Sequence, residues 1–411
     1  MFAFSRMIKP LHYYLIATGS WFLAYGIQGV MFAWLVTIVL RESPNMVGVA
    51  HMTLLAPATV LVLIGGSLAD HFGGKPIAII GQLLAALCVF LLALVIFFGH
   101  FNYSILLVFA FVLGCAQAIV TPARDGLLPL VASGRIQRTV VQSTITQFGI
   151  MMVGFAIASF ADKSGAFVIL LFQSVVLLVG ILALARIKIP SNKAPQSDHN
   201  LTKQIRLSIY TGMQTVLGNP VLRAVLLINF AMGLFFMSSY MVMIPLLLRE
   251  VYGGSSSQLS WTNFANCLGL VLMMFYLLRM GDLKRQGRGL LLSHGIGAIA
   301  LAGVALGSGF TSLMVGVFIW GLAGGLSVTA SRSIAQELSP PDQRGRVMAF
   351  FSFSFMAAGP IGALFSGFMA GWLGPAIALL FSAFAMFIVV IAVSIFSSLW
   401  HLGMDKDIKG L

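Results

Sequence analysis

Charge is what this sequence has least of. Of 411 residues only 9% are charged, and only eleven are carboxylates. A water-soluble globule carries about 25% charged residues, so this chain is too apolar to live as one. Cysteine is scarce as well. Cys88, Cys115 and Cys267 each lie in an apolar run, which excludes a disulfide framework and offers no metal-ligand spacing. The sequence holds no His/Cys cluster, no glycine-rich nucleotide loop ending in lysine, and no nucleophile–base–acid set. Those absences speak against a metalloenzyme, a machine driven directly by ATP, and a hydrolase. The expectation is a protein that is not an enzyme and needs no metal or cofactor.

What is abundant is hydrophobic length. Apolar residues make up 59% of the chain, and its mean hydropathy is +1.00. About 20 apolar residues cross a bilayer core as a helix, and lipid obliges backbone groups to bond within the segment. A lipid-embedded barrel would alternate apolar and polar residues, whereas these runs are unbroken. Polar breaks divide them into twelve, near 12–40, 46–69, 76–99, 104–128, 139–161, 165–188, 221–248, 257–280, 289–308, 312–337, 347–371 and 375–400. The fold class read from this is an all-α integral membrane protein of twelve transmembrane helices. The N-terminal stretch lacks a small-residue cleavage site after a short apolar core, so it reads as a retained first span.

Lysine and arginine orient the spans. With the N-terminus inside, the outer loops hold only Arg41, Lys163 and Arg249, and the other 21 basic residues fall on the inner side. The positive-inside rule then places both termini in the cytoplasm. It also accounts for the net charge of +13 through anionic lipid, with no nucleic acid partner. Midway lies the longest polar segment, beginning "PSNKAPQSDHN" and continuing "LTKQIRLSIYTGMQTVL". Leu201, Ile205, Ile209, Met213 and Val216 recur at helical spacing, which predicts an amphipathic helix at the cytoplasmic membrane surface. The expected organisation is a six-helix half over 1–188, a linker over 189–220, and a second half with a short tail over 221–411.

Two echoes suggest that the halves repeat one another. "GGSLADHFGGKPI" (Gly65 to Ile77) follows the second span, and the weaker "RMGDLKRQGRGLL" (Arg279 to Leu291) follows the eighth. "TPARDGLLPLV" follows the fourth span and "SVTASRSIAQEL" the tenth, with Arg124 and Arg332 nearly equivalent. Parallel pseudo-symmetric halves are a transporter design, with the substrate site at the interface of the repeats. In the first echo Gly66 allows close helix approach, Gly73 permits a tight turn, and Asp70 is placed to accept hydrogen bonds from a helix N-terminus. A contact that forms in one arrangement and breaks in another biases a two-state equilibrium. Gly66, Asp70, Gly73, Lys75, Asp282 and Arg288 are therefore the candidate conformational switch, against the plainer reading of charged cytoplasmic turns.

The chain resembles the major facilitator superfamily in "GGSLADHFGGKPI", where Gly66, Leu68, Ala69, Asp70, Gly73 and Lys75 match the family's loop signature. His71 and Gly74 stand where that signature is often basic. "GIQGVMFAWLV", "TPARDGLLPLV" and the stretch from Pro340 to Gly371, with Gly359 and Pro360, resemble the macrolide- and siderophore-exporting branch. Lysophospholipid transporters share part of the pattern. The export-type Gly-Pro motif of span five is missing, because Phe155 occupies the proline's place while Gly149 and Gly154 remain. The resemblance implies a twelve-helix major facilitator fold and alternating access.

No carboxylate lies in the middle of a span, where an acid would mark a proton relay. Asp125 with Arg124, Arg332 and His294 are left as coupling candidates, with a structural ion pair as the competing reading for Asp125. Buried amides either bond between helices or face a cavity. Gln28, Trp34, Gln117, Asn229, Phe236, Tyr240 and Asn263 are the cavity candidates. A cavity with few charges suits a lipophilic or amphipathic solute. The expected function is export of a drug- or siderophore-type small molecule, with protons as a possible coupling ion. A lysophospholipid flippase or uncoupled facilitator is the alternative, and a non-transporting receptor a third reading. The expected setting is the inner cell membrane, as a monomer.

Overall fold

The computed structural model describes residues 10–132, 136–187, 213–281, 283, 285–340 and 343–402; of these, the side chains of 62–71, 136–138 and 345 lie outside the description. Among the described residues there is no strand. Twelve long helices follow the twelve apolar runs. They are α1 (Pro10–Val39), α2 (Pro44–Phe72), α3 (Gly74–Phe97), α4 (Tyr103–Val131), α5 (Ile136–Ala158) and α6 (Ala166–Arg186), then α7 (Pro220–Tyr252), α8 (Ser256–Met280), α9 (Gln286–Leu306), α10 (Phe310–Glu337), α11 (Arg344–Leu373) and α12 (Pro375–Phe396). Eleven are long and apolar enough to cross a bilayer, and α2, at 29 residues, takes the place of the expected run 46–69.

Local chemistry sets the helix ends. Asn102 caps α4 by accepting from the Ile105 amide at 3.0 Å. Asn219 caps α7 through the amides of Val221 and Leu222 at 2.9 and 3.1 Å, with Pro220 in the first turn. Both use the short side-chain oxygen that suits an orphan helix-start amide. Gly73 separates α2 from α3 at φ +88, a backbone state that a Cβ would strain. Of the linker's amphipathic helix, residues 213–218 are helical; the part before Met213 lies outside the described residues.

The chain forms two compact units. The first comprises Met1–Leu40, Thr53–Gln196 and Ser255–Ser260; the second comprises Arg41–Met52, Ser197–Gly254 and Trp261–Leu411. In the first, α1 packs on α5 and α6, and α3 on α4 and α6. Small residues let α1 and α5 meet at backbone distance. A Cβ at Gly26 would lie 2.3 Å from the Met151 carbonyl oxygen, and one at Gly154 would lie 2.5 Å from that of Leu23. Gly149 has no such neighbour, so of the two span-five glycines only Gly154 does the packing expected of the pair.

Buried amides and hydroxyls tie the same unit together. Gln82 Nε2 donates to Ser20 Oγ and to the Leu177 carbonyl at 3.2 and 2.9 Å, and Ser20 Oγ donates to the Val176 carbonyl at 2.7 Å. Without water to compete, such bonds also fix helix register. In the second unit α9 packs on α10 and α12, and α11 packs on the middle of α7. There Gly233 and Gly362 bring backbones together, with virtual Cβ distances of 2.6 Å to the Phe355 oxygen and 2.5 Å to the Leu234 oxygen.

Candidate solute-binding site

The middle of α7 is not an ordinary α-helix. Met232–Met237 and Ser239–Met243 are wound as π-helix. A π-turn bonds each amide one residue further back, which widens the coil and re-aims its side chains; such turns concentrate at functional sites. Ser238, between the two stretches, bonds its hydroxyl to the Leu234 carbonyl one turn earlier. The widened stretch projects Phe236 and Tyr240, four residues apart and thus on one face, toward α9 and α10.

These rings enclose a cavity within the second unit, of about 180 Å³. Trp320 of α10 meets Phe236 edge-on at 5.5 Å and Tyr240 edge-on at 5.8 Å. His294 of α9 stacks on Phe236 at 6.1 Å with an interplanar angle of 15°. Met232, Met237 and Phe355 complete much of the apolar wall. Gly297 makes room for the aromatic pair, since a Cβ there would stand 3.0 Å from the Phe236 ring and 3.3 Å from Trp320. Among the described residues, no acidic or basic side chain other than His294 lines the space.

The polar groups at its rim are already committed. Tyr240 donates its hydroxyl to Asn263 Oδ1 at 2.8 Å, and Asn266 Nδ2 donates to the Val317 carbonyl at 3.3 Å. His294 Nδ1 lies 2.9 Å from the Leu290 carbonyl. A carbonyl only accepts, so Nδ1 carries the hydrogen, and Nε2 accepts from the Ser327 hydroxyl at 3.1 Å. The tautomer follows from its bonds. Both ring nitrogens are thereby engaged while the ring stacks on Phe236.

The other cavity candidates sit elsewhere. Gln28 is 4% exposed and accepts from Gln173 Nε2 at 3.1 Å, a bond between α1 and α6. Asn229 donates to the Phe351 carbonyl and Ser354 Oγ at 2.7 and 2.9 Å, tying α7 to α11. Gln117 is half-buried on α4. Trp34 gives its indole N–H to Asp162 Oδ1 at 2.9 Å.

That last contact belongs to a cluster that apolar run lengths do not reveal, since Asp162 falls between the runs 139–161 and 165–188. Asp162 Oδ2 also accepts from the Ser256 amide at 2.7 Å and lies 2.8 Å from the Ser256 hydroxyl; in return the Asp162 amide donates to that hydroxyl at 3.1 Å. All of these residues belong to the first unit. A carboxylate on the first amide of α8 is favoured by the helix dipole. The legible signal was a serine run, Ser255 to Ser257, opening a helix.

Among the switch candidates, Lys75 Nζ donates to the carbonyls of Ala185 and Ile187, both at 2.8 Å. It thereby caps the C-terminal end of α6, where a cation is favoured. Gly74, which departs from the basic signature, packs against α4: a Cβ there would lie 2.6 Å from the Ala123 oxygen. Arg288 donates to the Trp400 carbonyl at 3.3 Å, with its guanidinium 5.2 Å from that indole ring. Gly66 lies in α2, the Asp70 side chain is outside the described residues, and so is Asp282.

Of the coupling candidates, Arg124 is buried at 6% exposure, with its guanidinium carbon 4.5 Å from the Phe22 ring centroid. Asp125, the next residue, is exposed, and so is Arg332. Among the described residues, no group of three His, Cys, Asp or Glu side chains is placed to hold a metal ion.

Set beside known proteins, the chain matches the family model described as Major Facilitator Superfamily over residues 14–255 and 234–400. A curated relative, the multidrug efflux pump Tap of Mycolicibacterium fortuitum, is 24% identical over 354 residues, covering 84% of this chain and 85% of the relative. The uncharacterized MFS-type transporter YfiS of Bacillus subtilis (strain 168) is 27% identical over 362 residues, covering 83% and 82%. The fold is shared with solved structures at low identity. The nucleoside transporter NupG superposes with a TM-score of 0.71 at 13% identity, covering 94% of this chain and 99% of that one. A proton-dependent oligopeptide transporter superposes with a TM-score of 0.72 at 12% identity, covering 96% and 99%.

Proposed function

The chain belongs to the major facilitator superfamily, a multi-pass membrane transporter, and from that premise we propose that it exports lipophilic or amphipathic small molecules, holding their apolar part in the aromatic cavity of the second unit. The observation that carries this reading is the π-helical middle of α7, which places Phe236 and Tyr240 against Trp320 and His294 around the cavity. Sites that enclose a drug-sized ligand measure about 300–1,000 Å³. At about 180 Å³ this one has room for a ring system or a short apolar segment rather than a whole solute. Aromatic and methionine walls adapt to differently shaped apolar groups, which suits a carrier of several substrates. The name of the Mycolicibacterium relative, a multidrug efflux pump, agrees with the outward direction. The distribution of Lys and Arg supports an orientation with both termini facing the cytoplasm.

The transport step in this reading is alternating access by the two halves. Asp125 remains the proposed proton carrier: it is exposed near the C-terminal end of α4. In inside-out vesicles, a lipophilic fluorescent dye should accumulate on imposing a pH gradient. Phe236→Ala should lower the initial rate by about tenfold, because it removes a ring that packs against two others. Tyr240→Phe should cost only about two- to threefold, since it loses one hydrogen bond and keeps the ring. Wild-type rates in Phe236→Ala would exclude the cavity as the solute site.

A further inference from the structure

Arg124 has no use in the fold that repays its burial. It lies on α4, seven residues before the helix ends at Val131, about 10 Å along the axis. Its residue is 6% exposed, and Nη1 is buried with no hydrogen-bond partner. Phe22 of α1 faces it, 4.5 Å from the guanidinium carbon to the ring centroid, and the groups that act on its charge are, in order, Asp125 of α4 itself and Tyr14 of α1. Among the described side chains, no carboxylate oxygen lies within ion-pair distance of it. Asp125 follows it in sequence but is turned about 100° around the helix and is exposed. A guanidinium taken out of water is disfavoured, and an exposed carboxylate beside it and a cation–π contact return only part of that loss. An orphaned buried donor in a native protein calls for an explanation.

We propose that Arg124 is the anchor of a second binding site, in the first unit, that takes the anionic group of an amphipathic solute, a carboxylate or a phosphate. The guanidinium is planar, with its donors along one edge. Phe22 occupies a face of that plane, and Nη1, buried without an acceptor, can donate to an oxygen that reaches it as the helices move. Carboxylate and phosphate are the groups whose spaced oxygens match two parallel N–H donors. The pseudo-equivalent Arg332 is exposed, so the site is not duplicated. The inference rests on the reading of this chain as a carrier of amphipathic solutes, and narrows the class of solute.

The test uses one ring system with different charges: 1-naphthyl phosphate, 1-naphthoate, uncharged 1-naphthol and cationic 1-naphthylmethylammonium. Each is titrated calorimetrically into the full chain in uncharged maltoside micelles. In the wild type the two anions should bind at least about tenfold more tightly than naphthol, the gain expected of a hydrogen bond to a charged group. In Arg124→Gln the ratio of anion to naphthol affinity should fall toward one, and Arg124→Lys should keep part of it. Because the quantity is a ratio within one protein, loss of some folded material does not disturb it. Preference for the phosphate alone would point to a lipid headgroup, and preference for both anions to acidic amphiphiles at large; either supports the anchor. Equal affinity for naphthol and the anions in the wild type, or an undiminished preference in Arg124→Gln, overturns it. Transport of an uncharged dye is measured in parallel. If the dye moves and no anion preference exists, this inference fails and the carrier reading stands. If nothing is bound or moved, both fail.

Discussion

Arg124 and Arg332 occupy matching places in the sequence echoes that follow the fourth and tenth spans, yet one is buried and the other exposed. The helices α1 and α7 diverge in the same way. In the first unit α1 stays α-helical through Trp34 and is π-wound only over its last residues, Leu35–Val39, while its buried polar groups bond to neighbours: Ser20 to Val176, Gln28 with Gln173. In the second unit α7 opens into π-turns and spends its middle on a cavity. A repeated architecture has thus been put to two uses. The first unit keeps a cation inside a tightly bonded frame, and the second keeps an apolar, aromatic hollow. In the proposed reading, a few side chains and the place of the π-turns within the helix set what each unit binds.

The largest effect should come from removing the buried cation. Arg124→Met should raise the stability of the protein by about 1–4 kcal/mol in thermal melts in maltoside micelles, because replacing a poorly compensated buried charge by an apolar chain of similar volume is often stabilising. Arg332→Met, on the surface, should stay within about 0.5 kcal/mol. If Arg124→Met destabilises as a structural core residue would, the arginine is part of the frame and the contrast between the two positions collapses.

A smaller contrast concerns the acids. Asp162→Ala leaves the Ser256 amide and the Trp34 indole without their acceptor, and should cost about 1–3 kcal/mol. Glu250, in the second unit, pairs with Arg249 at 3.4 Å, but its side chain is 41% exposed. Glu250→Ala should cost less than about 1 kcal/mol, as surface pairs do. Equal losses in the two variants would mean that the Asp162 cluster is no tighter than a surface ion pair.

How much of this was legible follows from the kind of signal involved. The apolar runs placed all twelve helices because a span is set by length and composition: the run 257–280 became Ser256–Met280, and 312–337 became Phe310–Glu337. The π-turns of α7 were not legible, since "MGLFFMSSYMVM" is equally apolar in either winding. Phe236 and Tyr240 were singled out for their position in the seventh span, whereas Trp320 was not, because nothing in "GVFIWGLAGG" sets one aromatic apart from its neighbours. Gln28 and Asn229 were legible as functional amides in lipid, but whether an amide meets another helix or a cavity depends on the packing angle. The echo made Arg124 and Arg332 look alike, and burial, which separates them, belongs to the tertiary structure.

The central claim is that the π-helical face of α7 in the second unit holds the apolar part of the solute. It is tested most directly by photolabelling the intact protein in membranes with a diazirine-bearing lipophilic dye, followed by peptide mapping of the adducts. The account predicts labelling concentrated in Met232–Tyr240 and Trp320–Val328, suppressed by excess unlabelled dye. Suppressible labelling confined to other helices, with these two segments unmarked, would contradict it.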